Sequence, residues 1–201
     1  MKLFGRPGDY EAFVKLLREA AKRFPGVRVL DYCIMPNHWH LVLWPRKDGE
    51  LARFMMRLTI THARRWLEYR KLVGTGHVYQ GRYKSFAVEA DEHVLRLGRY
   101  VERNPLRARL AKRAQDWKFS SLGQGALEPA LRVPICDGPV DRPTNWIGLV
   151  NRPQTAAEEE ALRKSIAEAR PFGSERWMKQ TMRRLGWREP LKRGRPRKQG
   201  K

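Results

Sequence analysis

Acidic residues, cysteines and long apolar runs are what this sequence is short of. Only 21 Asp and Glu stand against 42 Lys and Arg, giving a formal net charge of +21 and a pI of about 10.8. A surplus of that size repels itself and calls for a polyanionic partner. Nucleic acid is the first candidate and an anionic membrane surface the second. The two cysteines, Cys33 and Cys136, are far apart and form no C-x-x-C pair. They cannot supply the ligands of a zinc finger. They read as reduced, buried thiols of a cytosolic protein, with a single disulfide between them as the alternative. No apolar run approaches the ~20 residues of a spanning helix. Met1-Lys2-Leu3-Phe4-Gly5 is not followed by the apolar core of a secretory signal. The expected location is therefore the cytoplasm, with no membrane association. No internal repeat is present, and 201 residues leave room for one ordinary domain plus an appendage.

What is present is a series of short, well-punctuated segments. Asp9 reads as an N-cap, and Phe13, Leu16, Leu17, Ala20, Ala21 and Phe24 recur at the 3–4 spacing of a helix that Pro25-Gly26 ends. Residues 27–34 read as a strand, 35–37 as a tight connection and 38–44 as the second strand of a hairpin. A helix is expected over 50–71, with a core stripe including Phe54, Leu58, His62 and Trp66 and a basic exterior of Arg53, Arg57, Arg64, Arg70 and Lys71. A glycine-punctuated loop follows over 73–81, and then a strand over 83–88. Asp91 can cap a third helix that Asn104-Pro105 closes, with a further helical turn over 107–112. Residues 123–154 carry Gly and Pro with little periodicity and read as a linker or surface wrap onto which Trp146 anchors. Thr155 and Glu158 have capping-box spacing, opening a helical hairpin over 155–186 with a turn at Arg170-Pro171-Phe172-Gly173 and a second cap at Ser174. Residues 187–201 form a basic tail. Its Arg193-Gly194-Arg195-Pro196 run is similar to an AT-hook, whose arginines suit a narrow minor groove; generic phosphate affinity is the plainer reading.

The chemistry begins at Met35-Pro36-Asn37-His38-Trp39-His40. Residues i and i+2 of a strand share a face, so His38 and His40 project side by side, opposite Trp39, Leu41 and Leu43. Alone, such a pair serves packing more often than chemistry. Tyr100 and Asn104 change that, because their i,i+4 spacing puts them on one helix face. A tyrosine hydroxyl can attack a phosphodiester when a cation neutralises the non-bridging oxygens. Two imidazoles and an amide oxygen would leave open positions on a divalent ion. Mg²⁺ prefers oxygen ligands and imidazole suits later metals, so Mn²⁺ should serve at least as well.

Three ordered blocks complete the picture. They are the His38–His40 block, Gly76-His77-Val78-Tyr79-Gln80-Gly81-Arg82-Tyr83-Lys84-Ser85, and Arg99-Tyr100-Val101-Glu102-Arg103-Asn104-Pro105-Leu106-Arg107-Ala108. Together they closely resemble the HUH single-tyrosine transposases, and most of all the REP-associated branch. Trp117-Lys118-Phe119-Ser120-Ser121 is similar to the segment that closes that family's catalytic domain, here 1–122. The resemblance implies an α+β fold, a ferredoxin-like antiparallel sheet backed by helices, to which this chain adds a C-terminal helical extension and the basic tail. It implies cleavage of single-stranded DNA beside hairpins through a 5′-phosphotyrosine intermediate. By carry-over, His38 and His40 bind the metal, Tyr100 is the nucleophile and Asn104 is the third, amide-type ligand. His77, Gln80, Arg82 and Lys84, with Arg193 and Arg195 of the tail, are the candidate DNA contacts. Members usually begin with a strand and an Asn-Arg-rich segment. This sequence reaches Asp9-Tyr10-Glu11 almost at once, so the sheet is expected to lack that strand and to expose an edge. The partner would be single-stranded or hairpin DNA at the nucleoid, bound by a monomer or by a homodimer that shares its tyrosines. The rival reading is a domesticated or decayed, non-catalytic protein that recognises hairpin DNA.

Overall fold

In the computed structural model residues 3–188 are described. Arg193, Arg195 and the rest of the AT-hook-like tail lie outside them. The fold is α+β, organised around one antiparallel hairpin with helices on both of its faces. Helix α1 (Pro7–Arg23) starts at a proline, whose fixed φ suits the first turn. Asp9 lies inside that turn and not at the cap. Its carboxylate accepts the backbone N–H groups of Gly5 and Arg6 at 2.8 and 3.0 Å. Tyr10, Phe13, Val14, Leu17 and Ala20 form the buried stripe. Strands β1 (Val27–Met35) and β2 (His38–Pro45) are joined by the turn Pro36-Asn37, in a register running from Met35↔His38 to Val27↔Pro45. A register shift between Val29 and Asp31 marks a bulge. Upstream of it Val27 and Val29, and downstream Tyr32 and Ile34, face α1 and α2, while Leu30, Cys33 and Met35 face the opposite way.

Helix α2 (Glu50–Tyr69) lies beside α1 and buries Phe54, Met55, Leu58, His62 and Trp66 against that first face. Helix α3 (Glu92–Glu102), capped by Asp91, covers the second face with Leu97, Tyr100 and Val101. A single helical turn, α4 (Asn104–Arg107), follows directly, earlier than the sequence suggests. The wrap region carries 3₁₀ turns at Gln124–Ala126 and Pro129–Leu131 and the short helix α5 (Trp146–Asn151). The capping box opens α6 (Ala156–Glu168) as expected, and Ser174 caps α7 (Glu175–Arg184).

The two edges of the hairpin differ. The outer edge of β1 is covered: Ile34 N donates to Phe119 O, Ser121 N to Tyr32 O and Cys136 N to Val29 O, each at 2.9 Å. The outer edge of β2 has no strand partner among the described residues. The face beneath is nonetheless filled. Leu3 and Phe4 are buried, Phe4 N donates to Pro36 O, and Trp66 Nε1 donates to Leu3 O. The strand expected over 83–88 does not join the sheet. Its backbone meets the C-terminal hairpin instead, through the Val88–Phe172 bridge and the bonds Glu89 N to Phe172 O and Phe172 N to Ala87 O. Alternation of side chains prepares a segment for pairing, but the neighbour it meets decides the partner.

Candidate active site

Strand alternation places His38 and His40 on the α3 face, with ring centroids 5.0 Å apart and planes nearly perpendicular. His38 is exposed at the mouth and His40 is half-buried below it. Asn37, the last residue of the turn, accepts a hydrogen bond from His38 Nδ1 at 2.7 Å. That bond fixes the tautomer and leaves the Nε2 lone pair free, as a metal-ligating imidazole requires. Burial lowers the His38 imidazole below its ordinary value. Burial, followed by the nearby His38 and Arg107, pushes His40 down to about 3. Both rings are therefore neutral at pH 7 and can donate lone pairs. This donor chemistry fits a divalent cation.

Tyr100 approaches from α3, with its ring centroid 6.3 Å from that of His40. The approach depends on Gly98, where an added Cβ would lie 2.8 Å from Asp31 Oδ2. Only glycine lets the helix sit this close to the bulged part of β1. Among the described residues the Tyr100 hydroxyl is held by no side-chain hydrogen bond. One turn on, Asn104 is 8% exposed and its Nδ2 donates to the carbonyls of Tyr100 and Val101, both at 3.2 Å. Its Oδ1 accepts from Arg107 Nη2 at 2.9 Å. An amide oxygen has two lone pairs, so one acceptor position remains for a cation. Arg107 also donates to Tyr100 O at 2.9 Å and lies over the Tyr100 ring, Cζ to centroid 3.6 Å. The sequence placed Arg107 in a helical turn without a role in the site.

Behind α3 lies a buried acid pair that local spacing could not reveal. Asp31, turned towards α3 at the bulge, faces Glu102. Arg142 from the wrap region bonds Asp31 Oδ1 at 2.5 Å and reaches Glu102 Oε1 at 3.7 Å. Glu102 also accepts from Trp146 Nε1 and Ser121 Oγ, each at 2.7 Å. Burial, then the adjacent Glu102, raises the Asp31 carboxyl well above its ordinary value. Arg99 and Arg103 add a second attachment by donating to the carbonyls of residues 149–153 at the end of α5. The wrap is thus clamped onto the helix that carries Tyr100.

The remaining expected contacts are not gathered with these groups by any hydrogen bond or ion pair among the described residues. His77, Gln80, Arg82 and Lys84 are all exposed, and Lys84 Nζ donates to Ala167 O at 3.0 Å, capping the end of α6. His93, in the first turn of α3, is half-buried. Its ring packs edge-on against Phe172, and its Nδ1 lies 2.7 Å from Asp91 Oδ1 and 3.9 Å from Glu89 Oε2. Glu89, Asp91 and His93 form a cluster compatible with a divalent cation. Glu89 is already engaged by Ser174 N and Oγ, and Asp91 by His93 N. The cluster sits about 10 Å along α3 from Tyr100, at seven residues and 1.5 Å each.

Neither a curated protein nor a solved structure matches the chain. A family model described as "Transposase IS200 like" does, over residues 2–104 of the 201. The matched segment contains His38, His40, Tyr100 and Asn104, the groups that the fold has brought to one face of the hairpin. It stops short of Arg107, the wrap and the C-terminal helices. The chain belongs to the IS200-like transposase family.

Proposed function

We propose that this transposase-family protein, of the REP-associated branch, cleaves and rejoins single-stranded DNA beside hairpins through a covalent tyrosine intermediate. The observation that carries the reading is the facing of Tyr100 and His40 across the α3–hairpin interface, with Asn104 one turn further on. In this mechanism the Tyr100 phenolic oxygen forms a bond to the scissile phosphorus and loses its proton to solvent. The P–O3′ bond breaks, and the departing oxygen takes a proton to become a free 3′-hydroxyl. The 5′-phosphate remains esterified to Tyr100. Because a phosphodiester is replaced by a tyrosyl phosphoester, a 3′-hydroxyl can reverse the step and rejoin strands without an external energy source.

His38, His40 and Asn104 would hold the divalent cation, Mg²⁺ or Mn²⁺. When bound, it supplies charge neutralisation at the non-bridging oxygens. His38 is oriented by Asn37 and Asn104 by Arg107, so both outer ligands are fixed before DNA arrives. The exposed Arg82, the basic exterior of α2 and the tail retain the strand, with an affinity that falls steeply with salt. No described helix is long and apolar enough to cross a membrane, and DNA as the proposed partner favours a position at the nucleoid.

The test is incubation of the full chain and its Y100F variant with labelled hairpin-containing single strands and Mn²⁺. Wild type should give an SDS-resistant adduct carrying the 5′-phosphate end; Y100F should bind the DNA and give none. Equal behaviour of the two, with binding demonstrated, removes the nucleophile. A gel shift without any adduct from wild type supports the non-catalytic hairpin binder.

A further inference from the structure

Arg107 is bound on one side and unbound on the other. Its Nη2 is anchored to Asn104 Oδ1 and Tyr100 O, and its plane is stacked on the Tyr100 ring. Its Nη1 is buried and has no hydrogen-bond partner among the described residues. The carboxylate facing it, Glu159 of α6, stands off at 3.9 Å and is instead bonded to Arg163 at 2.7 Å. The Arg107 side chain is only 18% exposed. A buried cationic N–H that lacks an acceptor is costly to keep, and a guanidinium matches the oxygens of a phosphate better than any other side chain.

We propose that Arg107 binds the phosphate on which Tyr100 acts, with Nη1 donating to a non-bridging oxygen. The two halves of the fork then have different tasks. One sets the orientation of Asn104 and holds the helix turn; the other meets the substrate. Stacking holds the guanidinium over the face of the Tyr100 ring, with Cζ 3.6 Å from its centroid. As the phenolic oxygen bonds to phosphorus and P–O3′ breaks, the same oxygen stays on Nη1, so the contact persists into the phosphotyrosine ester. Glu159 is the competing anion in the free protein, which makes α6, beyond the family-matched segment, a part of the site. This inference rests on Tyr100 being the nucleophile, and two readouts separate the claims.

The first readout needs no chemistry. Full-length protein with labelled arginine is titrated with inorganic phosphate without metal, following the Arg107 Nε resonance, assigned by its loss in R107K. A saturable shift is expected, with affinity raised about threefold in E159Q by removal of a nearby like charge. An Arg107 signal that ignores phosphate while other arginines respond overturns the proposal. The second readout compares adduct formation on the mapped phosphodiester with that on a methylphosphonate at the same link, which lacks the non-bridging charge. R107Q should slow both substrates through the lost anchor on Asn104, and should slow the phosphodiester about 100-fold more than the methylphosphonate, the scale of losing one preorganised donor. Equal slowing on both substrates means that Arg107 only holds α4 in place, and overturns it. If R107Q does not fold, R107K and E159Q carry both readouts, R107K being slowed more on the phosphodiester than on the methylphosphonate. If wild type forms no adduct on either substrate, the nucleophile assignment fails, and the phosphate titration still decides Arg107.

Discussion

Two tyrosine–histidine pairs flank the hairpin, one on each face, and they are built to opposite ends. On the α1/α2 face the Tyr79 hydroxyl lies 2.6 Å from His62 Nδ1 and accepts from Trp39 Nε1 at 3.3 Å. Burial pushes the Tyr79 phenol up to about 12 and the His62 imidazole down to about 4. Phe4 and Phe13 close over the imidazole. The Tyr79 hydroxyl is bonded on two sides, the imidazole is neutral at pH 7, and the pair is part of the core. On the α3 face Tyr100 and His40 have a similar ring separation, 6.3 Å against 5.8 Å. Here, among the described residues, the tyrosine hydroxyl has no side-chain hydrogen bond and His40 makes none, while His38 is exposed. Distance between the rings does not distinguish the pairs. What distinguishes them is whether their hydrogen-bonding capacity is spent inside the protein or kept for something else.

Substitutions should separate the two pairs. Y100F should lower adduct formation by at least about 10³-fold, since no alternative nucleophile is aligned, with thermal unfolding unchanged. H40A should cost adduct formation about 10²- to 10³-fold through loss of a ligand, checked by isothermal titration with Mn²⁺. N37A, which frees the His38 ring, should weaken Mn²⁺ binding about 10- to 100-fold while the fold holds. Y79F should act the other way round. It strands the His62 and Trp39 nitrogens and should destabilise by about 1 to 2 kcal/mol in urea unfolding, with adduct formation per folded molecule within about threefold of wild type. A Y79F protein that is stable but inactive would erase the comparison.

The smallest effect is expected in the pH profile of stability. Burial beside Glu102 holds the folded Asp31 carboxyl well above the usual carboxylate range, so the folded protein keeps that proton to higher pH than the unfolded chain. In that interval the unfolded state binds fewer protons, and stability falls as pH rises. D31N should flatten this slope above about pH 4, the ordinary aspartate range, in chemical denaturation. An unchanged slope would show that the acid pair does not hold the proton.

The sequence made the local parts of this molecule legible. The placement of His38 and His40 on one face follows from a period of two, and that of Tyr100 and Asn104 from a period of 3.6. Caps at Asp91, Thr155 and Ser174 fell where their side-chain chemistry put them. What escaped was non-local. Arg142 meets Asp31 across 111 residues, and no spacing rule links them. Helix α5 is six residues long, too short to show a period. The extended segment 83–88 carries the alternation of a strand, but alternation reports two unlike faces and says nothing of which backbone lies alongside. Arg107 stood in plain view within a helical turn. Its part in the site became visible only when Tyr100 and Asn104 were seen to sit under its guanidinium.

Helix α3 presents three directions at once. Gly98 and Glu102 look towards the Asp31 bulge, Arg99 and Arg103 towards the wrap, and Tyr100 towards the histidines. Each residue added or removed turns everything beyond it by about 100°. An insertion or deletion of one codon anywhere within α3 would therefore scramble all three interfaces together. Point changes can drift at an exposed position such as Glu92, but its length cannot. Among diverging copies of such a gene, reading-frame-preserving indels should accumulate in the 73–81 loop and the wrap and be absent from α3.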